Sequence, residues 1–219
     1  MYLTLKQILD IAVSLIAILI LSPIFLVIIV VLRLTGEGEI FYLQERVGHK
    51  NKRFSIYKFA TMEKNSPNIG NGDVTLRNDP RVTRVGKYLR KTKLNELPQL
   101  INILKGEISI IGPRPLMISG FERYSLEFQN SIYDIKPGLT GIGSIAFRDE
   151  EKILTDSEMS PHDCYREIIL PQKGKLEIWY QHNCSFFLDI QLILLTLWTI
   201  FFPNSLLYKR WFKDLPSFP

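Results

Sequence analysis

From Ile11 to Leu32 the chain reads "IAVSLIAILILSPIFLVIIVVL", twenty-two residues without a single charge. That length suits a bilayer and leaves few soluble alternatives, and no small-residue cleavage site of a secretory signal peptide accompanies it. A membrane-embedded N-terminal helix is therefore the first constraint on the fold. Its centre carries Ser22-Pro23. Proline lacks the N–H that would bond back one turn, and its ring crowds the carbonyl four residues earlier, so a kink is expected there. The hydroxyl of Ser22 is placed to re-satisfy the freed backbone in hydrocarbon. Two topologies fit: a kinked spanning helix, or a re-entrant helix–break–helix with both ends on one face. The basic residues that follow (Arg33, Arg46, Lys50, Lys52, Arg53) belong on the cytoplasmic side. Lys6 and Asp10 at the entrance leave the crossing undecided.

A second apolar stretch, "FFLDIQLILLTLWTIFF" (186–202), is broken by Asp189. With Trp198, Phe201, Phe202 and Trp211 beside Lys209, Arg210 and Lys213, it reads as an interface-lying segment, a buried core helix being the alternative. Three parts follow: a membrane helix over 1–36, a core over 37–185, and a C-terminal interfacial segment over 186–219.

The core reads as α+β and helix-dominated. "EIFYLQERVGHKNKRFSIYKFATM" (39–62) predicts a small β-hairpin with GHKNKR as its loop. "NSPNIGNGDVTLRNDPRV" (65–82) predicts a loop. "RVTRVGKYLRKT" predicts a basic helix. Leu97, Leu100, Ile101 and Leu104 then follow helical spacing, and Gly106 is placed to stop that helix.

The net charge of +5 favours anionic partners. Cys164 and Cys184 form no metal spacing or disulfide framework, and three scattered histidines give no triad or His-ligated metal. The chemistry concentrates in "RKTKLNELPQL" (90–100). Asn95 suits an N-cap, with Pro98 in the first turn, and such a helix start also attracts phosphate. Arg90 and Lys91 add charge. Arg114, fixed between Pro113 and Pro115, presents a planar fork to phosphate from a stiff backbone. Glu96 is the carboxylate available to hold Mg²⁺. Lys58 in "YKFATM" is either another phosphate contact or an outward strand residue. No nucleic-acid-reading motif is present, so no nucleic-acid partner is expected.

These segments, with "NDPRVTRVGKYLRKTKLNELPQLINILKGEISIIGPRPL", "KPGLTGIGS" and "WYQHNCSFFLDIQLILLTL", resemble the bacterial sugar transferase family. These are the monotopic polyprenyl-phosphate phosphoglycosyl transferases, here in a small stand-alone form. The resemblance spans nearly the whole chain. It implies a re-entrant helix broken at Ser22-Pro23, and a catalytic core on the cytoplasmic face of the bacterial inner membrane. It implies transfer of a phosphosugar from a UDP-sugar to a polyprenyl phosphate such as undecaprenyl phosphate, with release of UMP. Mg²⁺ is the implied cofactor, and later glycosyltransferases of the same pathway are implied partners. The metal-binding Glu falls on Glu96, with Arg90 and Arg114 as phosphate contacts. The family's nucleophilic Asp falls on Asn95, and Ala60 stands where many relatives have Arg. Three alternatives follow from Asn95. Transfer proceeds by a variant route, with Glu96 or the lipid phosphate attacking; or Asn95 replaces a natural Asp; or the protein is a catalytically degenerate membrane-surface binder of nucleotide sugar or lipid phosphate.

Overall fold

A computed structural model of the chain describes residues 2–69 and 75–216. The predicted Asn/Gly-rich loop therefore lies partly outside the described residues.

The N-terminal segment forms one helix, α1 (Tyr2–Leu34), about 50 Å long at the usual rise. Among the described residues it is the one helix long and apolar enough to cross a membrane. The expected break is not seen as two helices, because helical backbone runs through Ser22-Pro23. The physical reason is local. Pro23 leaves the carbonyl of Leu19 without its N–H partner, and the Ser22 hydroxyl donates to that same carbonyl at 2.8 Å.

The hairpin forms as predicted: β1 (Phe41–Val47) pairs antiparallel with β2 (Arg53–Phe59), from Phe41 opposite Phe59 to Val47 opposite Arg53. Its loop turns through Lys50 and Asn51, both at positive φ. The basic helix α2 (Arg84–Lys91) starts where the Thr83 hydroxyl accepts from Gly86 N–H. A single 3₁₀ turn (Leu94–Glu96) leads into α3 (Gln99–Leu104), and Gly106, at φ 73°, ends it as expected.

The buried set on α3 is not the expected leucine stripe but Gln99, Leu100, Asn102 and Ile103. The helix is wedged between α1 and the hairpin, so more than one of its faces is covered. Asn102 ties it to the hairpin, accepting from Tyr57 N–H (3.0 Å) and donating to Ser55 O (2.8 Å).

The remainder is built from β3 (Ser109–Ile111), α4 (Ile118–Phe121), α5 (Leu126–Ser131), β4 (Gly138–Thr140), α6 (Ile142–Ala146) and α7 (Glu150–Asp156). After these come α8 (Pro161–Cys164), a π turn over Tyr165–Ile169, α9 (Leu170–Asn183), α10 (Phe186–Phe201) and α11 (Leu207–Trp211). β3 and β4 form a parallel pair. The largest apolar core joins Ile111, Ile142, Leu176 and Tyr180 to Leu188, Leu192 and Leu195 of α10. The C-terminal apolar stretch is thus half core and half surface: Phe187, Leu194, Leu197, Trp198 and Phe201 remain exposed on its other side.

α1 lies against the core along its length. Ala17, Ile18 and Leu21 pack with Leu100 and Ile103, while Phe25, Ile28 and Leu32 pack with Phe59 and Leu89. Near its start, Lys6 and Tyr2 bond Asp189 of α10, and Asp10 accepts from Ser109 at 2.5 Å. Asp189, a blemish in the hydropathy pattern, is a buried tie between two apolar helices and also accepts from Tyr180. The opposite face of α1, including Ile16, Leu19, Ile20, Leu26 and Val27, stays exposed.

Candidate active site

The loop from Gly112 to Leu116 has a partner for every backbone N–H it possesses. Gly112 N–H donates to Thr140 O (3.0 Å), Arg114 N–H to Glu177 Oε1 (3.2 Å), and Leu116 N–H to the Tyr133 hydroxyl (2.8 Å). Pro113 and Pro115 have no N–H to satisfy. The carbonyls are held as well: Gly138 N–H donates to Pro113 O, Tyr133 hydroxyl to Arg114 O, and the Arg46 guanidinium to Pro115 O. Arg114 is therefore presented from a clamped backbone, as the flanking prolines suggest.

Its guanidinium forks onto Glu96, Nη2 to Oε1 at 2.8 Å and Nη1 to Oε2 at 3.0 Å, with a further bond to Leu139 O at 3.1 Å. Glu96 reaches this position because Lys93, at φ 61°, turns the chain into the 3₁₀ turn that carries it. Burial opposes ionisation of Glu96, but Arg114 and Lys58 outweigh it and hold the carboxyl far below its ordinary range. The Lys58 ammonium has neither hydrogen bond nor ion pair among the described residues. Burial pushes it well below the usual lysine range, and Arg46 adds to the shift. Lys58 therefore faces inward, within electrostatic reach of Glu96, Arg46 and Arg114, and is not an outward strand residue.

Asn95 departs from expectation. It is not an N-cap: it lies inside the 3₁₀ turn, and Pro98 occupies the position before α3 without a side-chain cap. The residue is buried, and its Oδ1 has no hydrogen-bond partner. A buried amide oxygen left unpaired is costly, and such atoms concentrate at functional sites. Arg90 donates to Glu151 of α7 at 2.6 Å instead of meeting Glu96. Even so paired, it lies within electrostatic reach of Lys58.

Sequence reasoning missed three participants. Arg46 counted only as a basic flank, yet it lies within electrostatic reach of Arg114 and Glu96, and burial with the Arg114 charge lowers it to about 10. Arg148 is also lowered by burial, with Asp149 and Glu96 opposing. Glu177 sits in "KLEIWY", where a lone acid carries no signal. What brings them together is tertiary contact between segments more than a hundred residues apart.

The site can bind an anion of more than one charge. Arg46, Lys58, Lys93 and Arg114 all act on Glu96. The other carboxylates near Arg114 are Glu150, paired with Lys173, and Glu177, which burial raises toward neutrality, so positive charge is in excess. Among the described residues no group of three acidic, His or Cys side chains forms a metal cage. A Mg²⁺ ion needs less, because it keeps water and takes one or two protein oxygens beside substrate phosphates. Glu96 and the unpartnered Oδ1 of Asn95 are hard oxygen donors of that kind.

Residues 1–203 match the bacterial sugar transferase family. The chain belongs to that family. It is 35% identical over 192 residues to the uncharacterized sugar transferase EpsL of Bacillus subtilis, covering 88% of this chain and 85% of that one. It is 34% identical over 206 residues to the UDP-glucose:undecaprenyl-phosphate glucose-1-phosphate transferase of Klebsiella pneumoniae. The identity is the same, over the same length, to the UDP-N-acetylgalactosamine-undecaprenyl-phosphate N-acetylgalactosaminephosphotransferase of Aeromonas hydrophila. Both alignments cover 91% of this chain but only 41% and 44% of those longer proteins.

Proposed function

We propose that this sugar transferase moves a phosphosugar from a UDP-sugar to a polyprenyl phosphate, releasing UMP, at the cytoplasmic face of a bacterial inner membrane. The observation that carries the reading is the Glu96–Arg114 fork with an unpaired Lys58 beside it, a charge surplus that a diphosphate would neutralise. The names of the Klebsiella and Aeromonas relatives support this substrate class.

Arg114, Lys58 and, once freed from Glu151, Arg90 bind and orient the diphosphate. Glu96 and Asn95 Oδ1 would hold Mg²⁺, which when bound offsets charge on the phosphates. Of the two variant routes, direct transfer fits better. Glu96 is a poor nucleophile, because both its oxygens already bind Arg114 and its basicity is low. In direct transfer an oxygen of the polyprenyl phosphate forms the new bond to the sugar-bearing phosphorus. The bond from that phosphorus to UMP breaks, and UMP departs with its electron pair. The second reading, a degenerate binder, is favoured by Asn95 itself, whose amide cannot attack phosphorus.

A monotopic placement is supported by the way α1 touches the folded core from Lys6 to Leu32 while exposing an apolar face. With both ends on one core, a seating of α1 on one face of the bilayer keeps Arg33 and the basic hairpin in the cytoplasm. The exposed aromatic side of α10 would share that interface. Later glycosyltransferases would take up the lipid-linked product.

The test is a panel of UDP-sugars with Mg²⁺ and undecaprenyl phosphate, read by UMP release. One or more sugars yielding UMP supports transfer. Nucleotide-sugar protection against thermal unfolding without UMP from any sugar favours the binder.

A further inference from the structure

Behind Arg114 lies a carboxylate that the transfer reaction does not use. Glu177 of α9 is 3% exposed. Its Oε1 accepts from the Arg114 N–H, and its Oε2 has no partner. A buried acid with one oxygen unpaired is costly to keep, and an apolar residue would fill the same place on α9 without that cost. The neighbouring fold is shaped around it: a Cβ on Gly143 of α6 would collide with Glu177 Oε1. The cation beside it, Lys173, is already paired with Glu150. Glu177 thus makes one specific hydrogen bond, to the backbone of the residue whose fork defines the site.

We propose that Glu177 is a positioning residue, acting through the Arg114 N–H to hold the Arg114 guanidinium in register with Glu96 and the substrate diphosphate. The other bonds to this loop's backbone come from neutral groups and from Arg46. Among the described residues Glu177 is thus the one acid that supports the backbone, Glu96 meeting only the Arg114 side chain. Burial raises the Glu177 carboxyl to about 7, with Arg114 and Lys173 opposing. The ionisable groups facing it are Arg114 of the loop, Lys173 of α9, and the hydroxyls of Tyr124 and Tyr133. A carboxyl near half-protonation at neutral pH is mimicked by an amide. Glutamine at 177 therefore keeps the acceptor, whereas aspartate is too short to reach the N–H.

The inference concerns catalysis only if the transfer reading holds, so the test carries a readout independent of turnover. Full-length protein and its Glu177→Gln, Glu177→Asp and Glu177→Leu variants are treated with an arginine-selective dicarbonyl, and adduct formation at Arg114 is followed by peptide mass spectrometry. The expected result is wild-type reactivity for Glu177→Gln, and modification at least threefold faster for Glu177→Asp. Should Glu177→Leu fail to fold, the Gln and Asp comparison decides alone. In UMP release, Glu177→Asp is expected to lose about tenfold in kcat with KM for the UDP-sugar changed less, and Glu177→Gln to restore it. Equal Arg114 reactivity in wild type and Glu177→Asp would overturn the proposal, as would a Glu177→Gln variant as damaged as Glu177→Asp. A wild type that releases no UMP would sink the transfer reading, while the reactivity comparison would still decide the positioning role.

Discussion

Two bidentate arginine–carboxylate forks in this molecule, one side-on and one end-on, have similar bond lengths and opposite surroundings. Arg81 holds Asp79 through Nε (2.9 Å) and Nη2 (2.6 Å), and its remaining donor capacity reaches Ser66 O and Ile69 O. Its side chains are 6% and 3% exposed. The Arg114–Glu96 fork is 26% and 17% exposed, and it stands beside Lys58 and Arg46 with no carboxylate to match them. The first fork is closed: charge and hydrogen bonds balance, and the product is a fixed loop. The second is open, since among the described residues Glu96 is the one carboxylate acting on Arg46 and Lys58. A buried ion pair by itself says little about function, whereas an unbalanced one points to a ligand.

Breaking the closed fork should cost stability and nothing else directly. Asp79→Ala strands a buried guanidinium, and a loss of about 3 kcal/mol is expected, read as a lower midpoint in thermal or denaturant unfolding. Breaking the open fork should cost turnover instead. Arg114→Lys keeps the charge but loses the planar fork, so UMP release should fall about 100-fold, with the unfolding midpoint changed far less than by Asp79→Ala. Lys58→Met sharpens the contrast further. Removing an unpaired cation beside two others should leave the unfolding midpoint unchanged or raised, while nucleotide-sugar protection against heat weakens about tenfold in apparent Kd. Equal destabilisation by Lys58→Met and Asp79→Ala would erase the distinction between the forks.

The smallest effect is in pH. Glu96 is held below the unfolded carboxyl value of about 4.3, so its contribution to stability is present above that value and lost as pH falls. Glu177 is raised to about 7, so its contribution is present below the unfolded value and lost as pH rises from about 4.3 to 7. Relative to wild type, Glu177→Gln should therefore flatten the decline of the unfolding midpoint between pH 5 and 7. An unchanged pH profile would contradict the raised Glu177 carboxyl.

What was legible in the sequence was local. The hairpin follows from aromatic and β-branched runs around a polar turn, α2 from its cap and spacing, and the end of α3 from Gly106. The Arg114 site was half legible, because Pro113 and Pro115 announce a rigid loop within five residues. Asn95 was misread for the same local reason: a good capping residue before a helix is usually a cap, but the left-handed turn at Lys93 moves it into the 3₁₀ turn. Arg46, Arg148 and Glu177 were not legible, since each meets the site only through tertiary packing. Asp189 is the clearest case. As sequence it interrupts an apolar helix, and as structure it joins that helix to Lys6 and Tyr2 of α1.

The central claim is that the open fork carries out transfer directly, with Asn95 in place of an attacking carboxylate. The most direct measurement incubates the full-length protein with its UDP-sugar and Mg²⁺, with and without undecaprenyl phosphate, and follows UMP together with intact protein mass. The account predicts UMP only when the lipid phosphate is present, and no phosphosugar adduct on the protein at any time. No UMP from the wild type under either condition, with release restored in Asn95→Asp, would contradict it.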